Sequence, residues 1–144
     1  MYARARLTLL ALAVGVVLLQ PAPSVGQTTS QDLNRKVNEA VAAIKSYAAE
    51  RKNDAVAYGQ KLLSEFDQKY KGLEKKAARA TGEAKTELEK ELKALKAKRK
   101  QAARKLDELG KASGQSWDRM KRDFADAYRE LQELYERVVA SLKT

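Results

Sequence analysis

The sequence predicts an all-α protein, and three observations favour this fold class. The two prolines, Pro21 and Pro23, precede the body of the chain, and the seven glycines are scattered singly. No stretch shows the apolar-polar alternation of a half-buried strand. Between residues 83 and 109, apolar or small residues recur at alternating intervals of four and three, at Leu88, Leu92, Leu95, Ala102, Leu106 and Leu109, with Arg99 in the remaining slot. This spacing is typical of a coiled-coil seam, so the helix needs a partner helix.

Helix-start and helix-stop residues predict two long helices. Thr28 and Gln31 have the spacing of a capping box, which places the start of the first helix near residue 29. The run from Ala80 to Gly82 is the clearest break, because glycine adopts the left-handed conformation that ends a helix and Thr81 can cap the next one. With helices over residues 29 to 79 and 83 to 142, the predicted fold is a long antiparallel helical hairpin of the coiled-coil type.

A second break or kink is indicated near residues 110 to 115. Gly110 and Gly114 flank a short polar stretch, in which Ser113 or Ser116 can cap a further helix. Against a break, the apolar row continues through Trp117, which a bent but continuous helix would accommodate. A three- or four-helix bundle is therefore the alternative to the hairpin.

The first 26 residues have the pattern of a cleaved signal peptide. Arg4 and Arg6 form a basic start, an almost unbroken apolar run covers residues 7 to 19, and small residues before Gln27 offer a cleavage site. The run is shorter than the roughly 20 residues that a membrane span requires, so an uncleaved anchor is the weaker alternative. We expect cleavage after Gly26, export to the periplasm or the medium, and one elongated helical unit over residues 27 to 144.

Composition argues against an enzyme. The chain has no cysteine and no histidine, which removes disulfides, the usual zinc ligands, thiol nucleophiles and the commonest general base. Neighbouring acids such as Asp107 and Glu108 come without any sign of a pocket, and Trp117 occupies a seam position where packing is the expected role. We expect no catalytic residue, no cofactor and no metal ion.

Positive charge is concentrated in the middle third of the chain. Residues 68 to 105 hold 14 basic and 5 acidic residues, whereas residues 27 to 67 are neutral overall and residues 106 to 144 carry a net charge of −1. Such a region attracts anions in a salt-dependent way, unless it serves only solubility. The candidate anion-binding surface consists of Lys93, Lys96, Lys98, Arg99, Lys100, Arg104 and Lys105.

The expected partner of this surface is an anionic lipid, an anionic polymer of the cell envelope or an acidic protein. Nucleic acid is not expected, because export separates the protein from it. Moreover, no aromatic residue lies between Lys85 and Lys105 to stack on bases.

Residues 106 to 134, LDELGKASGQSWDRMKRDFADAYRELQEL, carry a further pattern. A charged segment bounded by leucines is followed by Ala-Ser-Gly at residues 112 to 114, and then by Trp117, Phe124 and Tyr128 among alternating charges. Together with the preceding helix, this stretch resembles a cyanobacterial-type family of small bacterial coiled-coil stress-response proteins. The resemblance covers about half of the chain. It implies a helical coiled coil and an association with stress, and it implies no agreed chemistry and no site residues.

Three functions are consistent with these features. The first is an exported, non-enzymatic coiled-coil protein that acts as a structural or interaction module, pairing with itself or with a protein partner through the seam, with a stress-related role implied by the resemblance. The second is a basic amphipathic module that binds anionic membrane or envelope surfaces. The third is a periplasmic chaperone of the holdase type. The first function is the primary expectation.

Overall fold

The structure is a computed structural model, and it describes residues 28 to 142. Over this range the protein is all-helical, as predicted, with four α-helices: α1 (Thr28–Ser46), α2 (Lys52–Arg79), α3 (Gly82–Gly110) and α4 (Trp117–Leu142). A 3-10 turn, Ala49–Arg51, joins α1 to α2, and no strand occurs between residues 28 and 142. The predicted signal peptide, residues 1 to 26, lies outside the described residues. None of the described helices has the length and hydropathy needed to cross a membrane.

Helices α2 and α3 pack against each other on either side of a short connection. The Ala80 N–H closes α2 by donating to the carbonyls of Lys76 and Ala77, at 3.1 and 3.2 Å. Gly82 then begins α3 with a φ of 65°, in the left-handed region that a Cβ atom disfavours. Along the pair, the Tyr70 hydroxyl donates to the Leu92 carbonyl at 3.3 Å. The glycine therefore supplies the backbone conformation that the chain reversal requires.

Residues 29 to 79 form two helices where the sequence predicts one. The first, α1, ends at Ser46, and Ala48 is extended, with φ −82° and ψ 161°. The carbonyls freed at this break accept hydrogen bonds from α4. Trp117 Nε1 and Lys121 Nζ both donate to Tyr47 O, at 2.9 and 2.8 Å, and Lys121 Nζ also donates to Lys45 O at 2.8 Å. Since these donors lie at least 70 residues further along the chain, the local sequence does not reveal the break.

Two serines organise the segment between α3 and α4. The Ser113 N–H donates to Ser116 Oγ and the Ser116 N–H donates to the Ser113 carbonyl, both at 3.1 Å. The Ser116 carbonyl accepts the Met120 N–H at 2.9 Å. Ser116 therefore occupies the N-cap position of α4, where its carbonyl accepts the first bond of the helix. Lys98 of α3 and Glu130 of α4 form an ion pair at 3.6 Å, which connects the two helices at the protein surface.

Helices α2, α3 and α4 share one apolar core with α1 from residue 36 onward. All six apolar seam residues predicted on α3 are buried, and Trp117 is buried as well. Phe66 of α2 packs edge-on against Tyr135 of α4, with ring centroids 6.0 Å apart. Among the described large apolar residues, Leu142 alone is exposed. The apolar stripes of these amphipathic helices are thus buried against one another within a single molecule.

Side chains of α3 and α4 approach the α2 backbone closely at Gly59. A Cβ atom added to Gly59 would lie 2.5 Å from Leu106 Cδ1 and 3.1 Å from two atoms of the Phe124 ring. Leu106 and Phe124 are themselves buried, so neither can move aside freely. Glycine at this position lets the three helices approach one another.

We predict that Gly59→Ala destabilises the protein by about 1 to 3 kcal/mol, because overpacking outweighs the gain of roughly 1 kcal/mol in helix propensity. The matched control is Gly72→Ala in the same helix, where an added Cβ meets no atom within 4 Å. That variant should gain up to about 1 kcal/mol. Urea denaturation followed by circular dichroism measures both changes. Equal stability of the two variants would contradict the close contact at Gly59.

Candidate anion-binding surface

The seven predicted anion-binding residues fall into two sets in the structure. Three of them are partly buried and paired with carboxylates: Arg99 with Asp67, Lys98 with Glu130, and Lys105 with Glu108. The other four, Lys93, Lys96, Lys100 and Arg104, are exposed and have no carboxylate partner within residues 28 to 142. The structure therefore divides the predicted surface into an internally neutralised part and a free part.

Arg99 has the most complete pairing. Its Nε and Nη2 atoms donate to the two carboxylate oxygens of Asp67 on α2, both at 2.9 Å. This parallel arrangement is the strong form of an arginine–carboxylate contact. It also explains why a charged residue can occupy the seam slot between Leu95 and Ala102, since Asp67 meets it at the edge of the core. Arg99 consequently belongs to the packing of α3 on α2.

The four unpaired cations form a line along α3. They follow each other at intervals of three, four and four residues, which confines them to a sector of about 80° on the helix and spreads them over roughly 16 Å. This sector points away from the buried positions Leu95, Ala102 and Leu106. The line therefore presents its ammonium and guanidinium groups to solvent on one side of the protein.

Helix α2 adds two cations that the sequence interpretation left out of the site. Lys71 and Lys75 follow Asp67 at intervals of four residues, so they continue the α3-facing side of α2 and turn outward by about 40° at each step. Both are exposed and neither forms an ion pair in the described chain. The four-residue spacing from Asp67 to Lys71 and Lys75 is the sequence feature that could have identified them. We use the name cationic face for the six residues Lys71, Lys75, Lys93, Lys96, Lys100 and Arg104.

Some nearby charges do not contribute to the cationic face. Glu89 lies one turn before Lys93 on α3 and offsets part of the positive charge there. Lys69 is half-buried, with its Nζ 5.5 Å from the centroid of the Tyr135 ring. Burial lowers the pKa of Lys69, and Lys36 lowers it further, although Glu65 and Glu136 act in the opposite direction. Lys69 thus faces the core side of α2, away from the cationic face.

A shallow groove of about 510 Å³ runs between α2 and α3 beside the cationic face. Val56, Leu63 and Ala103 supply apolar surface in it, and Arg99 with Asp67 and Lys111 with Asp107 form ion pairs along its rim. Because both rim pairs are neutralised, the groove adds no free charge. Over the described residues, no cluster of three or more carboxylates is close enough to hold a metal ion.

Comparison with known proteins adds no relative to these observations. No protein-family model matches the chain, and neither a curated protein nor a solved structure matches it. The candidate site is therefore defined by the positions and charges of the cationic-face residues alone.

We predict a measurable coupling between Arg99 and Asp67. Their side chains are 30% and 44% exposed, so the pair should contribute about 0.5 to 1 kcal/mol to the free energy of unfolding. A double-mutant cycle with Arg99→Gln and Asp67→Asn, measured in urea, isolates this coupling. The control cycle uses Lys98→Gln and Glu130→Gln, whose single contact at 3.6 Å should give a smaller value. A coupling for Arg99 and Asp67 no larger than that of the control would contradict the paired geometry.

Proposed function

We propose that the protein is a non-enzymatic interaction module that binds an anionic lipid surface through the cationic face. The observation that carries this proposal is the line of four exposed cations on α3 that have no carboxylate partner in the described chain. Each lysine or arginine near an anionic membrane contributes about 1 kcal/mol of attraction. A rigid line of such residues, joined by Lys71 and Lys75 on the adjacent helix, suits a flat and extended partner.

The burial of the apolar residues supports peripheral binding over insertion. Leu142 is the one large apolar side chain that is exposed within residues 28 to 142, so the folded protein offers little apolar surface to a bilayer. The same burial weakens two alternatives. Self-association through the seam and a holdase activity both need apolar surface that is inside this molecule. Attraction between the cationic face and lipid headgroups should therefore dominate and should fall with salt.

We also propose that the four helices form an antiparallel bundle, in preference to a free coiled-coil hairpin. The contacts of α2 with α3, of α3 with α4, and of Phe66 on α2 with Tyr135 on α4 support this arrangement. A bundle holds α3 with its apolar stripe inward, which fixes the direction in which the cations point. The proposed function depends on this orientation.

The proposal includes export of the protein to the periplasm or the medium. Export directed by residues 1 to 26 would place the protein where lipid headgroups and envelope polymers are the abundant anions. A role of this binding in a stress response is supported only by the family resemblance of residues 106 to 134.

The test is co-sedimentation with vesicles, using the chain from residue 27 so that the apolar run at residues 7 to 19 does not contribute. We expect binding to vesicles containing anionic lipid at low salt, reduced binding at physiological salt, and none to purely zwitterionic vesicles. The variant Lys93→Gln/Lys96→Gln/Lys100→Gln/Arg104→Gln should bind at least about 100-fold more weakly, because it removes four charges near the membrane. Glutamine preserves helix propensity, so circular dichroism should be unchanged.

The control variant removes four cations that are already paired with carboxylates: Arg51, Lys98, Lys105 and Lys111, each replaced by glutamine. Its net charge equals that of the first variant. If binding follows net charge alone, the two variants will weaken equally and the cationic face is not a site. Binding to a soluble anionic polymer, tested in place of vesicles, distinguishes a polymer ligand from a lipid ligand. Binding to the polymer without binding to vesicles would overturn the lipid assignment.

A further inference from the structure

A break in the backbone after Ser46 separates helix α1 from the three helices that follow. Those three helices pair closely, α2 with α3 and α3 with α4. Helix α1 contributes side chains to the shared core. From residue 36 onward its buried side chains are small or branched: Val37, Ala40, Val41 and Ile44. The helix therefore covers its neighbours through a thin layer of short side chains.

Lys121 of α4 fastens the C-terminal end of α1. Its Nζ donates to Lys45 O and to Tyr47 O, both at 2.8 Å, and lies 3.4 Å from an Asp118 carboxylate oxygen. Lys121 is 8% exposed and is the one buried charged residue in the described chain. Burial of an ammonium group is costly unless its protons have acceptors, so the position of Lys121 depends on the carbonyls at the end of α1. Trp117 Nε1 adds a third hydrogen bond at the same place.

Residues 47 to 51 interrupt the helical backbone beside the contacts of Lys121. Ala48 is extended and only a 3-10 turn separates it from α2. The two carbonyls bound by Lys121 belong to the last turn of α1 and to the residue that follows it, where backbone acceptors have no partner within the helix. Loss of Lys121 would leave Lys45 O without its tertiary donor and Tyr47 O with the Trp117 Nε1 donor alone. Helix α1 would then be held by that bond and by its short apolar side chains.

We propose that α1, over residues 36 to 46, is a releasable arm that opens about residues 47 to 51 as one unit, with Lys121 as the latch. Helices α2, α3 and α4 stay folded during this opening, because α3 pairs closely with both α2 and α4. Opening uncovers Tyr58, whose ring contacts Tyr47 with centroids 6.2 Å apart, and Trp117, whose indole nitrogen is bonded to Tyr47 O. The arm goes beyond the proposed membrane binding, since none of the six cationic-face residues takes part in it.

The test is native-state hydrogen exchange of the full chain. In the unmodified protein, the amides of residues 41 to 44 should exchange at least about tenfold faster than those of Leu95, Ala102 and Leu106 on α3, because local opening is easier than global unfolding. Lys121→Met should speed exchange in α1 by roughly another tenfold, since unsatisfied carbonyls weaken the closed state. Exchange in α3 should change less than about twofold.

Two further variants separate the latch from a general loss of stability. Lys52→Met is the matched control, because Lys52 Nζ also donates to a backbone carbonyl, that of Ala112 at 3.2 Å, but outside α1. It should leave the exchange of α1 unchanged. Lys121→Arg keeps a cationic donor and should restore part of the protection. Trp117 fluorescence in Lys121→Met should shift to the red as its surroundings become wetter.

The proposal is overturned by either of two results. In the unmodified protein, equal exchange rates in α1 and α3 would mean that α1 opens only when the whole fold unfolds. In Lys121→Met, an equal acceleration of both helices would mean that Lys121 contributes to global stability alone. The first comparison needs no variant, so it remains decisive even if Lys121→Met does not fold.

Discussion

The single apolar stripe of α3 is the constraint on which the rest of the structure depends. Leu88, Leu92, Leu95, Ala102, Leu106 and Leu109 are all buried, and almost every other position of the helix is polar. Such a helix is stable only if neighbours cover the stripe, which α2 and α4 do. Covering one side fixes which residues face outward. The line from Lys93 to Arg104 is therefore a consequence of the same spacing that builds the core.

Much of this could be predicted from the sequence, because the signals concerned are local. The apolar spacing identified every buried seam residue of α3, and the glycine at residue 82 marked the chain reversal, where its φ is 65°. The break after Ser46 could not be predicted, since it is stabilised by Trp117 and Lys121 from a distant helix. The positions of the candidate site residues could be predicted in part for the same reason. The residue spacing placed the cations on α3, but only the structure shows that Arg99 forms an ion pair with Asp67.

Buried polar groups give this alanine-rich core much of its specificity. Gln132 is 2% exposed, and its amide donates to the Tyr128 hydroxyl at 3.3 Å. Burial raises the pKa of Tyr128 to about 12, so the phenol stays neutral and hydrogen-bonded over the physiological range. Lys121 plays a similar part between α1 and α4. Short apolar side chains can slide past one another, whereas these polar contacts are satisfied in one register only.

The cationic face and the core oppose each other energetically, and this opposition links the fold to the proposed function. Like charges spaced four residues apart on a helix are mildly destabilising, and no carboxylate of the described residues forms an ion pair with Lys96, Lys100 or Arg104. The ion pairs of Arg99 and Lys98 neutralise the margins of the face and leave its centre charged. An anionic surface bound by the folded state alone would remove this repulsion, and by linkage it would also stabilise the fold.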